Sequence, residues 1–295
     1  MAERKSALIT GGTDGIGKAT AARLLADGWE VVITGRSAAR CDATVAELRS
    51  TGPGPVSALM ADLSSLAETS RACEEFLSGH ASLDFLFLNA NAIARERVIT
   101  PEGFEANLAL GFLSRALMAR RLEGALQAGG GQILTVVGLN KEKLDPADLT
   151  MEHGFKGMKA LARWQWAVQV WAHEWNARSP VPMNVYMPGI VKTKILKSEP
   201  SFFGRVALTA VYAVAAAPVE KSAARVVAAM RQVDTDEVRD GYFAVDKLKP
   251  PRDLGAGPDE QRKLWALTEH LIAPYLAGGA PETAPADPGA EAAPA

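Results

Sequence analysis

The sequence predicts a doubly wound α/β fold, a parallel sheet flanked by helices on both faces. Three observations carry that expectation. Short apolar runs of strand length recur near 6–9, 30–34, 56–61, 83–88, 132–137 and 184–187, and stretches with helical periodicity separate them. Alternation of this kind builds parallel βαβ units. The run Leu83-Asp-Phe-Leu-Phe-Leu88 is apolar almost throughout, the pattern of a strand covered on both faces. At 295 residues the chain can bury one substantial core. Residues 1–276 are expected to form one domain. Residues 277–295, rich in Ala, Pro, Gly and Glu, are expected to form a disordered tail.

The first element is the most informative. Ser6-Ala-Leu-Ile-Thr10 is a short apolar strand that runs into Gly11-Gly-Thr13-Asp14-Gly15-Ile16-Gly17, and an Ala/Leu-rich helix follows at once. In a strand–turn–helix setting such glycines make a dinucleotide cradle. Gly11 and Gly12 permit the turn, Gly15 lets the pyrophosphate approach, and Gly17 lets helix and strand pack closely. The helix start would aim free N–H groups and a positive dipole end at the phosphates. Thr10 to Gly17 resembles the TGxxxGIG signature of the short-chain dehydrogenase/reductase family. Its continuation through Lys18 is most similar to the retinol dehydrogenase-like branch, and the resemblance extends to about Val245. It implies a Rossmann-like fold and a nicotinamide cofactor.

The second strand, Glu30-Val-Val-Ile-Thr, exits into Gly35-Arg36-Ser37 with no acid. An acid there favours NAD, whereas arginine accommodates the 2′-phosphate of NADP, so NADP(H) is expected over NAD(H). Asp14 in the glycine loop runs slightly against that preference. A helix near 40–49 and the strand 56–61 lead to Asp62-Leu63, where the resemblance implies a carboxylate at the adenine. Asp62 also suits the N-cap region of the next helix. After Leu88, Asn89-Ala90-Asn91-Ala92 resembles the family's Asn-Asn-Ala-Gly motif in part.

The reaction centre departs from the family pattern. Thr100-Pro-Glu-Gly-Phe-Glu105-Ala-Asn-Leu-Ala-Leu110-Gly111 resembles the segment that ends on the catalytic asparagine, and that position holds Gly111. Asn107 lies four residues earlier and would need a one-turn shift to serve. The strand 132–137 ends at Gly138, where the resemblance implies the catalytic serine. Phe155-Lys-Gly-Met-Lys159 stands where the family carries Tyr-x-x-x-Lys; Lys159 remains and the tyrosine is Phe155. In the family the tyrosine moves the proton, the serine holds the carbonyl oxygen, and the lysine binds the nicotinamide ribose. A positioned acid is worth roughly 10²–10⁴ in rate and an oxyanion donor roughly 10²–10³. Ordinary carbonyl reduction is therefore expected to be severely impaired. Candidate substitute acids are His153, Lys141 and Tyr212. If Phe155 and Gly138 both line the pocket, Phe155→Tyr with Gly138→Ser is expected to gain carbonyl reductase activity.

Cofactor capture reads as retained. Pro188-Gly189-Ile190-Val-Lys-Thr193 resembles the family's Pro-Gly-x-x-x-Thr motif, which implies Ile190 and Thr193 against the nicotinamide. The apolar stretch 202–217 falls where the family places its variable substrate lid.

The helix after Lys159 carries Trp164, Val168, Trp171 and Trp175 on one stripe, read as a buried face or, by resemblance, a homodimer contact. A helix from Pro218 to Arg231, a strand Gly241–Val245 and a helix Asp259–Leu276 complete the expected order.

Charge is nearly balanced, with 32 basic and 34 acidic residues, which excludes a nucleic-acid binder of the usual basic kind. Cys41 and Cys73 show no metal or redox spacing and read as reduced thiols. No apolar run reaches the roughly 20 residues that span a bilayer, and no cleavable leader is evident, so a cytoplasmic protein without membrane contact is expected. Three functions stay open. The first is an NADP(H)-dependent reductase of a small organic substrate, in the manner of specialised metabolism, that spares the tyrosine. The others are a non-redox cyclase or isomerase, and a cofactor-binding regulatory protein.

Overall fold

The computed structural model describes residues 4–93, 96–138, 142–191 and 216–277. Eight strands form one sheet in the order β3-β2-β1-β4-β5-β6-β7-β8. They are β1 (Ser6–Ile9), β2 (Glu30–Gly35), β3 (Val56–Met60), β4 (Phe85–Leu88), β5 (Gln132–Val136), β6 (Met183–Met187), β7 (Tyr242–Ala244) and β8 (Lys247–Lys249). All pairings are parallel except β7 with β8. The order reverses at β1, where β2 lies on one side and β4 on the other, so the crevice beyond the carboxyl ends of the strands opens there.

On one face, α1 (Gly15–Ala26) and α7 (Val219–Asp236) pack together over the sheet; α2 (Ala38–Leu48) lies beside β2 and β3. On the other lie α3 (Leu66–Gly79), a composite helix and α6 (Gly157–Arg178). The composite helix begins as α4 (Ala106–Leu108), passes through a π-helical turn Ala109–Leu113 and continues as α5 (Ser114–Gly129). Helix α8 (Pro258–Leu276) lies across α3, α5 and α6. The strands β1 and β4 are wholly buried, which explains their uninterrupted apolar sequence.

The tryptophan stripe of α6 is core. Trp164, Trp171 and Trp175 are each buried. Trp171 stacks on Trp265 of α8 with ring centroids 5.2 Å apart and planes 6° from parallel. Arg178 lies over the same Trp265 ring. The chain's own α8 thus covers the stripe, so the stripe does not itself require a symmetry mate. Strand β8 escapes sequence reading because Lys247-Leu-Lys249 is exposed and polar; it forms an edge hairpin with β7. Among the described residues no helix is long and apolar enough to cross a membrane. Of the predicted tail 277–295, residues 278–295 lie outside the described residues. Cys41 and Cys73 are free and buried, and burial pushes the Cys73 thiol up to about 12.

Candidate functional site

A cleft of about 710 Å³ runs along the carboxyl ends of β1 to β6. One end is the glycine loop. Gly11 and Gly15 adopt φ of 65° and 55°, the left-handed region that side chains disfavour. A Cβ on Gly17 would lie 2.5 Å from Gly11 O and 2.8 Å from Asn89 Nδ2. Asp14 caps α1, its Oδ1 accepting from Gly15 N at 2.8 Å. The first-turn amides of α1 beyond that cap have no intrahelical partner, and Gly15 and Ile16 line the cleft. These features fit a pyrophosphate, and Gly11, Thr13 and Asp14 complete the cradle.

Asn89 holds the cradle in shape. Its Nδ2 donates to Thr10 O at 3.1 Å, while Asn89 N and Ala90 N donate to Thr10 Oγ1 at 2.8 and 2.9 Å. Thr10 thereby ties the exit of β1 to the exit of β4. Asp62 and Leu63 line the cleft beside β3. Asp62 Oδ1 also accepts from Ser64 N and Oγ, so its turn role and its place on the wall coexist. Arg36 and Ser37 stand at the same end. Arg40, which sequence reading passed over, joins them one helical turn on and pairs with Asp14 at 3.6 Å. Both partners of that pair are exposed, so it contributes little to stability. It does offset the one acid of the loop.

The other end is lined by Asn91, Ile93, Leu110, Val136, Gly138, Gln165 and the segment Pro188–Val191. Ile190 is exposed there, an apolar surface facing the cleft. Thr193, Tyr212 and Lys141 lie outside the described residues.

Several predicted centre residues are not brought together. Gly138 lines the cleft, but Phe155 and Lys159 are absent from its described walls. The physical reason is the start of α6. The helix begins at Gly157 with Lys156 in extended backbone as its N-cap, so Phe155 precedes the helix and the i, i+4 alignment with Lys159 does not form. Lys159 is instead 3.7 Å from Glu142. His153 is exposed and likewise off the wall. Asn107 is buried, its Nδ2 donating to Glu105 Oε1 at 2.6 Å, and it does not take the place of Gly111. Gly111 lies in the π-helical turn, where a Cβ would meet the Trp164 ring at 2.4 Å.

A Cβ on Gly138 would stand 2.7 Å from Gln165 Oε1. Gly138→Ser would therefore push the Gln165 amide aside, and Phe155→Tyr would put a phenol away from the described wall. The double variant is expected to show no gain over the parent against a panel of simple ketones, measured by cofactor oxidation.

Known proteins share the sequence pattern and the fold of this chain. The family model described as short chain dehydrogenase matches residues 5–150. A Streptomyces sp. (strain C5) protein named for daunorubicin C-13 ketoreduction, DnrU, is 30% identical over 91% of this chain and 92% of its own length. The chain belongs to the short-chain dehydrogenase family. Within the family it stands near the retinol dehydrogenases: human retinol dehydrogenase 14 is 28% identical over 91% of this chain and 86% of its own. Mouse polyprenol dehydrogenase is 29% identical over 88% of this chain and 81% of its own.

Solved structures share the fold. The alcohol dehydrogenase of the archaeon Thermococcus sibiricus, complexed with 5-hydroxy-NADP, aligns with a TM-score of 0.63 at 20% identity, covering 85% of this chain and 100% of that one. The NADPH-dependent 3-quinuclidinone reductase of Rhodotorula rubra aligns with a TM-score of 0.64 at 18% identity, covering 82% and 90%. The short-chain dehydrogenase family is one of oxidoreductases that use a nicotinamide cofactor.

Proposed function

We propose that this short-chain dehydrogenase binds NADP(H) in preference to NAD(H) and reduces a small organic acceptor without a tyrosine acid. One observation carries the reading. The cleft is continuous from the glycine cradle to Gly138 and Ile190, yet among the described residues its far end is lined by no Ser, Tyr, His, Lys, Asp or Glu. The glycine cradle, Arg36, Asp62 and Pro188 to Ile190 line the cleft, and among the described residues the far end holds amides and apolar side chains. The relatives named for retinol, polyprenol and daunorubicin support a small organic substrate. DnrU favours specialised metabolism in particular.

In this reading Gly11 to Gly17 hold the pyrophosphate, Asp62 and Leu63 the adenine, and Pro188 to Ile190 the nicotinamide. When bound, the reduced cofactor supplies a hydride. Arg36 and Arg40 supply charge for the 2′-phosphate. Replacing both arginines with alanine is expected to weaken NADPH binding on the order of 10–100-fold, the equivalent of one charge-assisted hydrogen bond at about 1.5–3 kcal/mol. NADH binding should stay within a few-fold, and calorimetry of the two nucleotides separates the effects.

A homodimer, if formed, is expected to use a surface other than the tryptophan stripe, which is buried within the chain, Trp171 of it against Trp265 of α8. Light scattering of wild type and Trp265→Ala tests this. An unchanged mass is expected, and a change in assembly would return the stripe to an interface.

The activity test is NADPH oxidation followed spectroscopically with activated acceptors and with simple ketones. Turnover confined to activated acceptors is expected. Product formed without NADPH consumption would point to the cyclase or isomerase reading, and no product with any acceptor to the regulatory one.

A further inference from the structure

Two glycines near the far end of the cleft are each backed by α6. The space a side chain would need at Gly111 is taken by Trp164, and the space at Gly138 by the Gln165 amide, 2.7 Å (Oε1) and 3.1 Å (Nε2) from the position a Cβ would occupy. Gln165 is 4% exposed and lines the cleft. Behind this wall lies Arg115 of α5, itself 4% exposed. Its Nη1 donates to Thr135 Oγ1 at 2.8 Å and Val136 O at 2.6 Å, and its Nη2 donates to Ala90 O at 2.8 Å. Its guanidinium stands over the Trp164 ring at 4.8 Å.

Among the described residues Arg115 has no carboxylate within ion-pair distance. Burial lowers it to about 9, which leaves it charged at neutral pH. A second guanidinium, Arg252, donates to Gly138 O at 3.4 Å. Ala90, Val136 and Gly138 all line the cleft, so positive charge backs this wall through their carbonyls. The cleft's own acids, Asp14 and Asp62, belong to its cofactor end. Nearby, Glu105 is engaged by the amides of Asn107 and Leu108, and Glu142 by Lys159.

This charge discriminates among acceptors that need no tyrosine. A buried cation raises the energy of a second cation and lowers that of an anion. An iminium enters as a cation and is disfavoured. A simple ketone becomes a localised alkoxide, which needs a proton at once. A conjugated carbonyl becomes a delocalised anion that persists until water reaches it.

We propose that Gln165, with Arg115 behind it, forms an acid-free oxyanion site, and that the acceptor is a conjugated carbonyl compound, an enone or a quinone. The proposal rests on the NADP(H)-dependent reading above and names its substrate class. For an enone, a hydride from the reduced dinucleotide forms a C–H bond at the β-carbon. The C=C pair moves toward the carbonyl, whose pair settles on oxygen, and the resulting enolate takes a proton from water. The acceptor gains two electrons and the dinucleotide loses two. The Gln165 Nε2–H donates a hydrogen bond to the oxygen, Arg115 acts through its field, and neither gives up a proton.

The test is binding of para-nitrophenol to the NADPH complex, where the nicotinamide ring is uncharged, with the visible phenolate absorbance followed across pH. The bound phenol is expected to ionise about one pH unit below the free phenol, a roughly tenfold preference for the anion. Arg115→Lys should keep the shift and Arg115→Met should remove it. Gln165→Leu should weaken phenolate binding about tenfold. If Arg115→Met does not fold, wild type and Gln165→Leu decide. An unshifted or raised value in wild type overturns the proposal, as does phenolate binding indifferent to Gln165→Leu. So does failure of nitrophenol to bind a protein that still takes up NADPH. Failure to take up NADPH, seen before any phenol is added, counts against the cofactor reading instead.

Discussion

Gly17→Val is expected to remove dinucleotide binding while leaving a folded protein. The glycine sits in the first turn of α1, and any Cβ there would lie 2.5 Å from Gly11 O, a backbone atom that cannot swing aside as a side chain can. The loop must shift, and with it the first-turn amides proposed to hold the pyrophosphate. Overpacking of this kind costs about 1–3 kcal/mol in an ordinary core. Here the shift also misplaces the phosphate donors, so a loss of roughly a hundredfold or more in NADPH affinity is expected. Calorimetry with NADPH measures it, and a thermal melt within a few degrees of the parent shows that the loss is local. Near-parental affinity would mean that the phosphates bind elsewhere.

Trp171→Ala carries the largest expected effect on stability. Trp171 is 2% exposed, stacks on Trp265 of α8 and meets the Trp175 ring at 5.3 Å. Large aromatic truncations in a core cost about 3–5 kcal/mol, because transfer and cavity terms add. The melting temperature should fall by on the order of 10 °C. The more specific expectation concerns α8. With its aromatic anchor gone, its amides should exchange hydrogen faster than those of β1 and β4, since a satellite helix opens before the central strands. Uniform loss of protection across the molecule would contradict the role of Trp171 as the anchor of α8.

The sheet was legible in the sequence because its central strands are buried on both faces, which forces Phe85 to Leu88 and their like to be apolar. The glycine turn was legible because its backbone needs glycine, through positive φ at Gly11 and Gly15 and close approach to Gly11 O at Gly17. The far end was legible only as a set of positions. Phe155 and Lys159 were placed by resemblance to a sequence segment alone, which does not say where the helix begins; it starts at Gly157, after Phe155. Gln165 could not be singled out, because its place on the wall comes from the missing side chain at Gly138, just past β5 and remote in sequence. Arg115 carried one overlooked signal, an arginine one turn after Gly111 among Ala, Leu and Met. Its burial became visible only when Ala90 O and Val136 O were found to receive it.

A protein that keeps the cofactor half of the family's machinery without its proton relay must still bind the dinucleotide. The most direct test is a calorimetric titration of the purified protein with NADPH and, separately, with NADH. Micromolar binding of NADPH with clear preference over NADH is predicted. Binding of neither nucleotide would contradict a nicotinamide-dependent reductase, and the cleft would then be the pocket of a non-redox protein.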